Sequence, residues 1–237
     1  MNLYFLLEGR RTEPKVYPNW INHQFPSLTR VHKIDDISSD SYILYAAKGY
    51  PKILQAIKDS LINICNHYVK NKIIIEHFFI CLDADEDGYE IRRDIVTERI
   101  NKIKPDIPDI SVYMPNIHII IQNCCIETWF LGHKKMLKRN PQSHKLLKFK
   151  NFYDVSVEDP ENMNCYNDKD FSFSNKAHFH EAYLKEMFSE QNLTYSKVNP
   201  GVTVNKDYFD SLIQRCFQTN DLASLRNLLN IWKNITI

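Results

Sequence analysis

The order of apolar and polar positions along this chain reads as alternating strands and helices. Residues 2–8, NLYFLLE, form a short apolar run that ends on an acid, the pattern of a buried strand. Thr12 then stands as an N-cap, with Pro14 in the first turn of a helix. Val16, Trp20 and Ile21 make its stripe, interrupted by Pro18. A weaker strand is expected over 29–35, and residues 36–50 carry no assignment. Pro51 opens a clearer helix, with Ile53, Leu54, Ile57, Leu61, Ile64, Cys65 and Tyr68 at helical spacing. The strongest strand pattern is 73–82, IIIEHFFICL, which is β-branched and aromatic and stops at DADEDG. An acidic helix is expected at about 89–103, a strand at 117–122 and a helix at 125–138. This alternation predicts an α/β fold, a parallel Rossmann-like sheet flanked by helices.

The pattern changes after Asn140. Residues 140–175 are polar, with Pro141, Pro160 and many Asn and Asp, and read as loop. A helix is expected at 176–190, a turn at Pro200-Gly201, and two further helices at about 205–217 and 221–234. The chain therefore divides into a core over 1–138 and a basic loop region with a helical appendage over 139–237.

Composition narrows the function classes. The chain has 237 residues, with Lys+Arg 30 against Asp+Glu 29, so any surface for nucleic acid is a local patch. Its five glycines spell neither GxxxxGK[ST] nor GxGxxG, which leaves no recognisable Walker A loop or dinucleotide fingerprint. The six cysteines contain no CxxC pair, so a Cys-based zinc ribbon is not expected. No apolar run approaches the roughly 20 residues of a membrane span, and the first residues turn charged too early for a signal peptide. The expectation is a soluble cytoplasmic protein with reduced thiols and no membrane partner.

Acids at strand ends carry the candidate chemistry. Glu8 closes the first strand, Asp83 and Asp85 follow the strongest one with Asp87 beyond them, and Glu127 opens a later helix. The carboxyl ends of neighbouring parallel strands open onto one crevice. Residues two apart in an extended segment share a face, which predicts that Asp83 and Asp85 point the same way. Such a cluster is repulsive unless a cation sits in it, and Mg²⁺ or Mn²⁺ is the natural guest for oxygen donors. The other reading is that Asp85 and Asp87 cap the next helix or sit in a solvated turn.

These residues carry a resemblance. LLEGRRTEPKVY followed by FFICLDADEDG resembles the TOPRIM domain, with Glu8 as its strand-one glutamate and Asp83-Ala84-Asp85 as its D-x-D. With NCCIETWFLGH, the chain looks more specifically like the RloB-like, OLD-related stand-alone TOPRIM proteins of bacterial anti-phage defence. Their N-P-C-F-E-x-W-x-L segment matches Asn123, Cys125, Glu127, Trp129 and Leu131, while Cys124 and Ile126 replace its proline and phenylalanine. The resemblance covers residues 1–138.

It implies a metal-dependent endonuclease acting on RNA or DNA, an antiviral effector of the abortive-infection type. Glu8 would be a general base or metal-side acid. Asp83 and Asp85, with Asp87, would hold Mg²⁺ or Mn²⁺, and Glu127 would be a further ligand or supporting acid. Arg10, Arg11 and Lys15 would face the phosphate. The family context also implies a separate ABC-type ATPase partner, and the short amphipathic C-terminal helices, expected outside the core, are the candidate interface for it or for a homo-oligomer. The alternatives are a catalytically silent TOPRIM binding module and a structured-RNA processing nuclease.

Other features carry less. HKKMLKRNPQSHKLLKFK, residues 133–150, holds six lysines and Arg139 without an acid, and Phe149, Phe152 and Tyr153 are candidates to stack bases. Lys134 and Lys135 are its nucleic-acid contacts, with Lys176 reaching from the later helix. His178 and His180 fall on different helix faces and do not bind one metal together. Cys124-Cys125 reads as packing, Trp129, Phe130 and Leu131 read as core, and Trp20 and Trp232 as core or partner-facing residues.

Overall fold

The structure is a computed structural model that describes residues 1–235. It is α/β, with five parallel strands in the order β2-β3-β1-β4-β5. The strands are β1 Asn2–Leu7, β2 Thr29–Val31, β3 Ser41–Ala46, β4 His77–Asp83 and β5 Asn116–Gln122. The helices are α1 Glu13–Gln24, α2 Lys52–Asn71, α3 Tyr89–Ile103, α4 Ile126–Phe130, α5 His144–Phe152, α6 Lys176–Ser189, α7 Lys206–Gln218 and α8 Ala223–Ile235. By compactness the chain forms two units, 1–82 with 90–121, and 83–89 with 122–237. The expected boundary at 138 falls inside the second unit.

The first unit carries almost all of the sheet. β1 is buried along its whole length, because it pairs with β3 on one side and β4 on the other. Alternate residues of β1 face opposite layers. Phe5 stacks on Phe79 with ring centroids 4.5 Å apart and meets Tyr17 of α1. Tyr4, on the other face, meets Phe78 and hydrogen-bonds Ser60 of α2. Arg99 of α3 donates Nε to the Leu54 carbonyl at 2.9 Å, which docks α3 against α2. Both faces are thus covered, which is why the strands read as continuous apolar runs.

Two departures from the pattern have local causes. β3 lies in the unassigned stretch and pairs with β1 from Asn2↔Ser41 to Leu7↔Ala46. β4 starts at His77, not at 73, because side chains take the preceding polar groups. Asn2 Nδ2 donates to Ile74 O at 2.8 Å, and the Tyr113 hydroxyl donates to Ile75 O at 2.6 Å.

The second unit is helical, and α7 and α8 are part of its core. Leu212, Cys216, Leu225, Leu228 and Trp232 are buried, and Trp232 meets Phe209 edge-on. Arg215 reaches inward to the carbonyls of Gly132, Val155 and Glu158 at 3.1, 2.7 and 2.7 Å. α4 ends at Phe130 instead of running to 138. The Tyr208 hydroxyl takes the Phe130 carbonyl at 2.7 Å, and a Cβ at Gly132 would lie 2.8 Å from the Trp129 carbonyl. Helix α5 occupies part of the expected loop, capped by Ser143 Oγ accepting the Leu146 N–H at 3.2 Å. Trp20, Trp129, Phe130, Leu131 and Trp232 are core residues, as their pattern predicts. Among the described residues no helix is long and apolar enough to cross a membrane.

Candidate metal centre

The strand order reverses between β1 and β4. From β1 the chain moves outward to β3 and β2, and from β4 it moves the other way to β5. The carboxyl ends of the strands at such a reversal are where open α/β sheets bind ligands. Glu8 follows β1, and Asp83 is the last residue of β4.

Backbone bonds hold Glu8 in place. Its N–H donates to Cys81 O at 2.9 Å, and its carbonyl accepts the Gly49 N–H at 2.8 Å. Its half-exposed carboxylate accepts the Tyr50 N–H at 3.1 Å. Gly9 donates its N–H to Glu13 Oε1 at 3.0 Å, and a Cβ at Gly9 would overlap that buried carboxylate. The spacing E-G-x-x-x-E therefore folds the loop back on the first turn of α1, a role for Glu13 that the motif alone does not reveal. Arg10, Arg11 and Lys15 are exposed around this turn.

The extended conformation ends at Asp83, so the shared-face reasoning for Asp83 and Asp85 does not hold. Asp85 sits in a turn with φ +48, the left-handed region that Asp tolerates better than most residues. Its place is set by backbone bonds. Ala84 donates to Gln122 O and Asp85 to Cys124 O, both at 2.9 Å, and Gly88 closes the turn onto Ala84 O at 3.3 Å. Asp83 and Asp85 are half-buried, and Asp87 is exposed. Glu86 accepts the Lys176 N–H at 2.8 Å, so Lys176 meets the acidic turn through its backbone.

Glu127 is only 2% exposed, and it is already engaged. The Tyr195 hydroxyl donates to its Oε1 at 2.6 Å, and the Lys197 ammonium lies 4.0 Å from the same oxygen and 3.5 Å from Glu181. Burial acts to lower the Lys197 pKa, but Glu127 and Glu181 overcome it and push it up to about 12. Cys125 and Asp83 act on Lys197 in the same direction, more weakly. Tyr195 and Lys197 carry no signal in the sequence. They lie in the polar stretch before Pro200, about 70 residues from the carboxylate they serve.

The basic stretch is largely neutralised. Lys134, Lys138, Lys145 and Lys150 pair with Asp221, Glu190, Glu186 and Asp154 at 3.9, 3.4, 3.0 and 3.7 Å. Lys148 pairs with Asp168 at 2.8 Å and with Asp170. Lys135 and Arg139 are exposed. Phe149 is not a base-stacking residue. It is fully buried, with Phe179 perpendicular at 5.1 Å and Tyr166, Phe171, Phe173 and Tyr183 around it. The periodicity of α5 turns this aromatic inward and leaves Phe152 partly exposed.

No family model matches the chain, and neither a curated protein nor a solved structure does.

Proposed function

We propose that the chain is a metal-dependent endonuclease that hydrolyses phosphodiester bonds in RNA or DNA. The observation that carries this reading is the acidic turn after β4, in which Asp83 ends the strand and Asp85 is held by backbone bonds to the segment after β5. The donors are carboxylate oxygens, which suit Mg²⁺ or Mn²⁺ and not a soft ion. Asp83 and Asp85 would hold the ion, with Asp87 at the exposed rim. A divalent ion there supplies Lewis acidity to a phosphate and makes water a better nucleophile near neutral pH.

The remaining steps fall to this chain's own side chains. Glu8 serves as general base or as an acid on the metal side. Lys197, kept cationic by Glu127 and Glu181, offsets charge that develops on the phosphate oxygens. Glu127 acts through Lys197, since Tyr195 and Lys197 both meet its Oε1. Arg10, Arg11 and Lys15 bind flanking phosphates, as does Lys135.

A cytoplasmic anti-phage effector is the context this activity fits, with a separate ABC-type ATPase and self-association as its proposed partners. α7 and α8 bury their apolar faces inside the second unit, so a partner would meet their polar faces.

The test is cleavage of plasmid DNA, single-stranded DNA and total tRNA with Mg²⁺, Mn²⁺ or EDTA. Glu8→Ala and Asp83→Ala run beside the wild type. Metal-dependent cutting lost in both variants is the expected result. Nucleic-acid binding without cutting on any substrate would favour a silent binding module.

A further inference from the structure

We propose that Cys124, Cys125 and His180 form a binding site for a thiophilic metal ion of the Zn²⁺ class, distinct from the acids of the 83–89 turn. The two sulfurs and one imidazole nitrogen all lie within 4.8 Å of one another, and all three residues are buried. Donors around one Zn²⁺ at bond lengths of about 2.0–2.3 Å stand roughly 3.5–3.8 Å apart. Side-chain torsions can supply the remaining contraction.

The histidine ring is held by its other nitrogen. His180 Nε2 faces the Met163 carbonyl at 3.2 Å. A carbonyl only accepts, so the ring proton sits on Nε2 and Nδ1 carries the lone pair. A backbone carbonyl behind the ring is a usual device for fixing the tautomer and orientation of a metal-binding histidine. In this structure Nδ1 accepts the Thr128 hydroxyl, with Oγ1 2.7 Å away, a hydrogen bond that the ion would displace.

Thr128 also sets the cysteines. Its Oγ1 accepts the N–H of Cys124 at 3.2 Å and of Cys125 at 3.3 Å, and lies 3.5 Å from Cys125 Sγ. One hydroxyl thus gathers the imidazole and both cysteine backbones around a single point. In this site His180 is joined by Cys124 and Cys125, from the segment before α4, and not by His178. Two thiolates and an imidazole favour Zn²⁺ or Cu⁺ over Mg²⁺.

The consequence lies next door. The Cys124 carbonyl accepts the Asp85 N–H at 2.9 Å, so an ion on Cys124 braces the backbone that holds the acidic turn. The site does not depend on the nuclease reading, and its test needs no activity.

The full-length protein is equilibrated with Zn²⁺, desalted, and assayed for metal, and is separately titrated with Co²⁺. The expected result is one retained Zn²⁺ per chain and thiolate-to-Co²⁺ charge-transfer absorption. Both signals are lost in Cys125→Ser and His180→Gln and kept in Cys65→Ala, with folding followed by circular dichroism. A second readout covers variants that do not fold: in the wild type, at a urea concentration that opens these buried cysteines to reagent, Zn²⁺ shields Cys124 and Cys125 from alkylation, mapped by mass spectrometry. A wild type that retains no stoichiometric Zn²⁺, or whose two cysteines alkylate equally with and without it, overturns the site. Binding that survives both substitutions overturns it as well.

Discussion

Two donor sets stand side by side in the second unit, and they differ in almost every physical respect. The 83–89 turn offers carboxylates that are half-buried or exposed, on a backbone held by three hydrogen bonds. The 124–128 segment with His180 offers two thiols and an imidazole, all buried around the Thr128 hydroxyl. Open oxygen donors suit a hard cation that must also meet water and substrate. Closed sulfur and nitrogen donors suit an ion that stays. The Asp85–Cys124 bond joins the two, so rigidity in one is position in the other.

The largest effect expected is on the closed set. Thr128→Val removes the acceptor of two buried N–H groups and the partner of His180 Nδ1. It should destabilise the fold by about 4 kcal/mol, since each stranded polar group costs about 1–3 kcal/mol. Urea unfolding measures this, and a loss under about 1 kcal/mol would show that the hydroxyl is not the hub.

The next effect is a pH dependence. Burial pushes the Glu161 carboxyl up to about 7, against the hydrogen bonds it receives from Ser224. A carboxyl raised in the folded state contributes stability that is full below its unfolded value, near 4.5, and is lost as pH rises to about 7. The contribution is at most about 3 kcal/mol. Stability curves of wild type and Glu161→Gln should diverge across that window and run parallel above it. Parallel curves throughout would contradict the assignment.

On the open side, Lys197→Met should lower the cleavage rate by about 100-fold, the upper range for residues that support a metal site, while Mn²⁺ affinity changes little. A drop in affinity with an unchanged rate would make Lys197 part of ion binding instead. The smallest effect is Tyr195→Phe, which removes a hydrogen bond to the buried Glu127 carboxylate. It should cost about 2 kcal/mol of stability, as for other bonds to charged groups.

The sequence made some of this legible for identifiable reasons. β1, β4 and β5 were readable because each is an apolar run bounded by polar residues. β3 was not, because SYILYA follows the polar, Asp- and Ser-rich stretch before it and is made a strand by its pairing with β1. The acids Glu8 and Asp83 were legible because they terminate apolar runs. The left-handed turn at Asp85 was not, since backbone bonds to Gln122 and Cys124 impose it from some 40 residues away. Lys197 and Tyr195 sit in a polar stretch with no period, and only tertiary structure brings them to Glu127. The basic run over 133–150 looked unopposed because its counter-charges lie at Asp154, Asp168, Glu186, Glu190 and Asp221.

The division of labour between the two sets is tested most directly by Mn²⁺ binding, followed by electron paramagnetic resonance on the full-length protein. Wild type, Asp83→Ala and Cys125→Ser are compared after equilibration with Zn²⁺. The expected result is Mn²⁺ bound by the wild type and by Cys125→Ser, and not by Asp83→Ala. Mn²⁺ binding that survives Asp83→Ala would contradict the placement of a hard cation on the acidic turn.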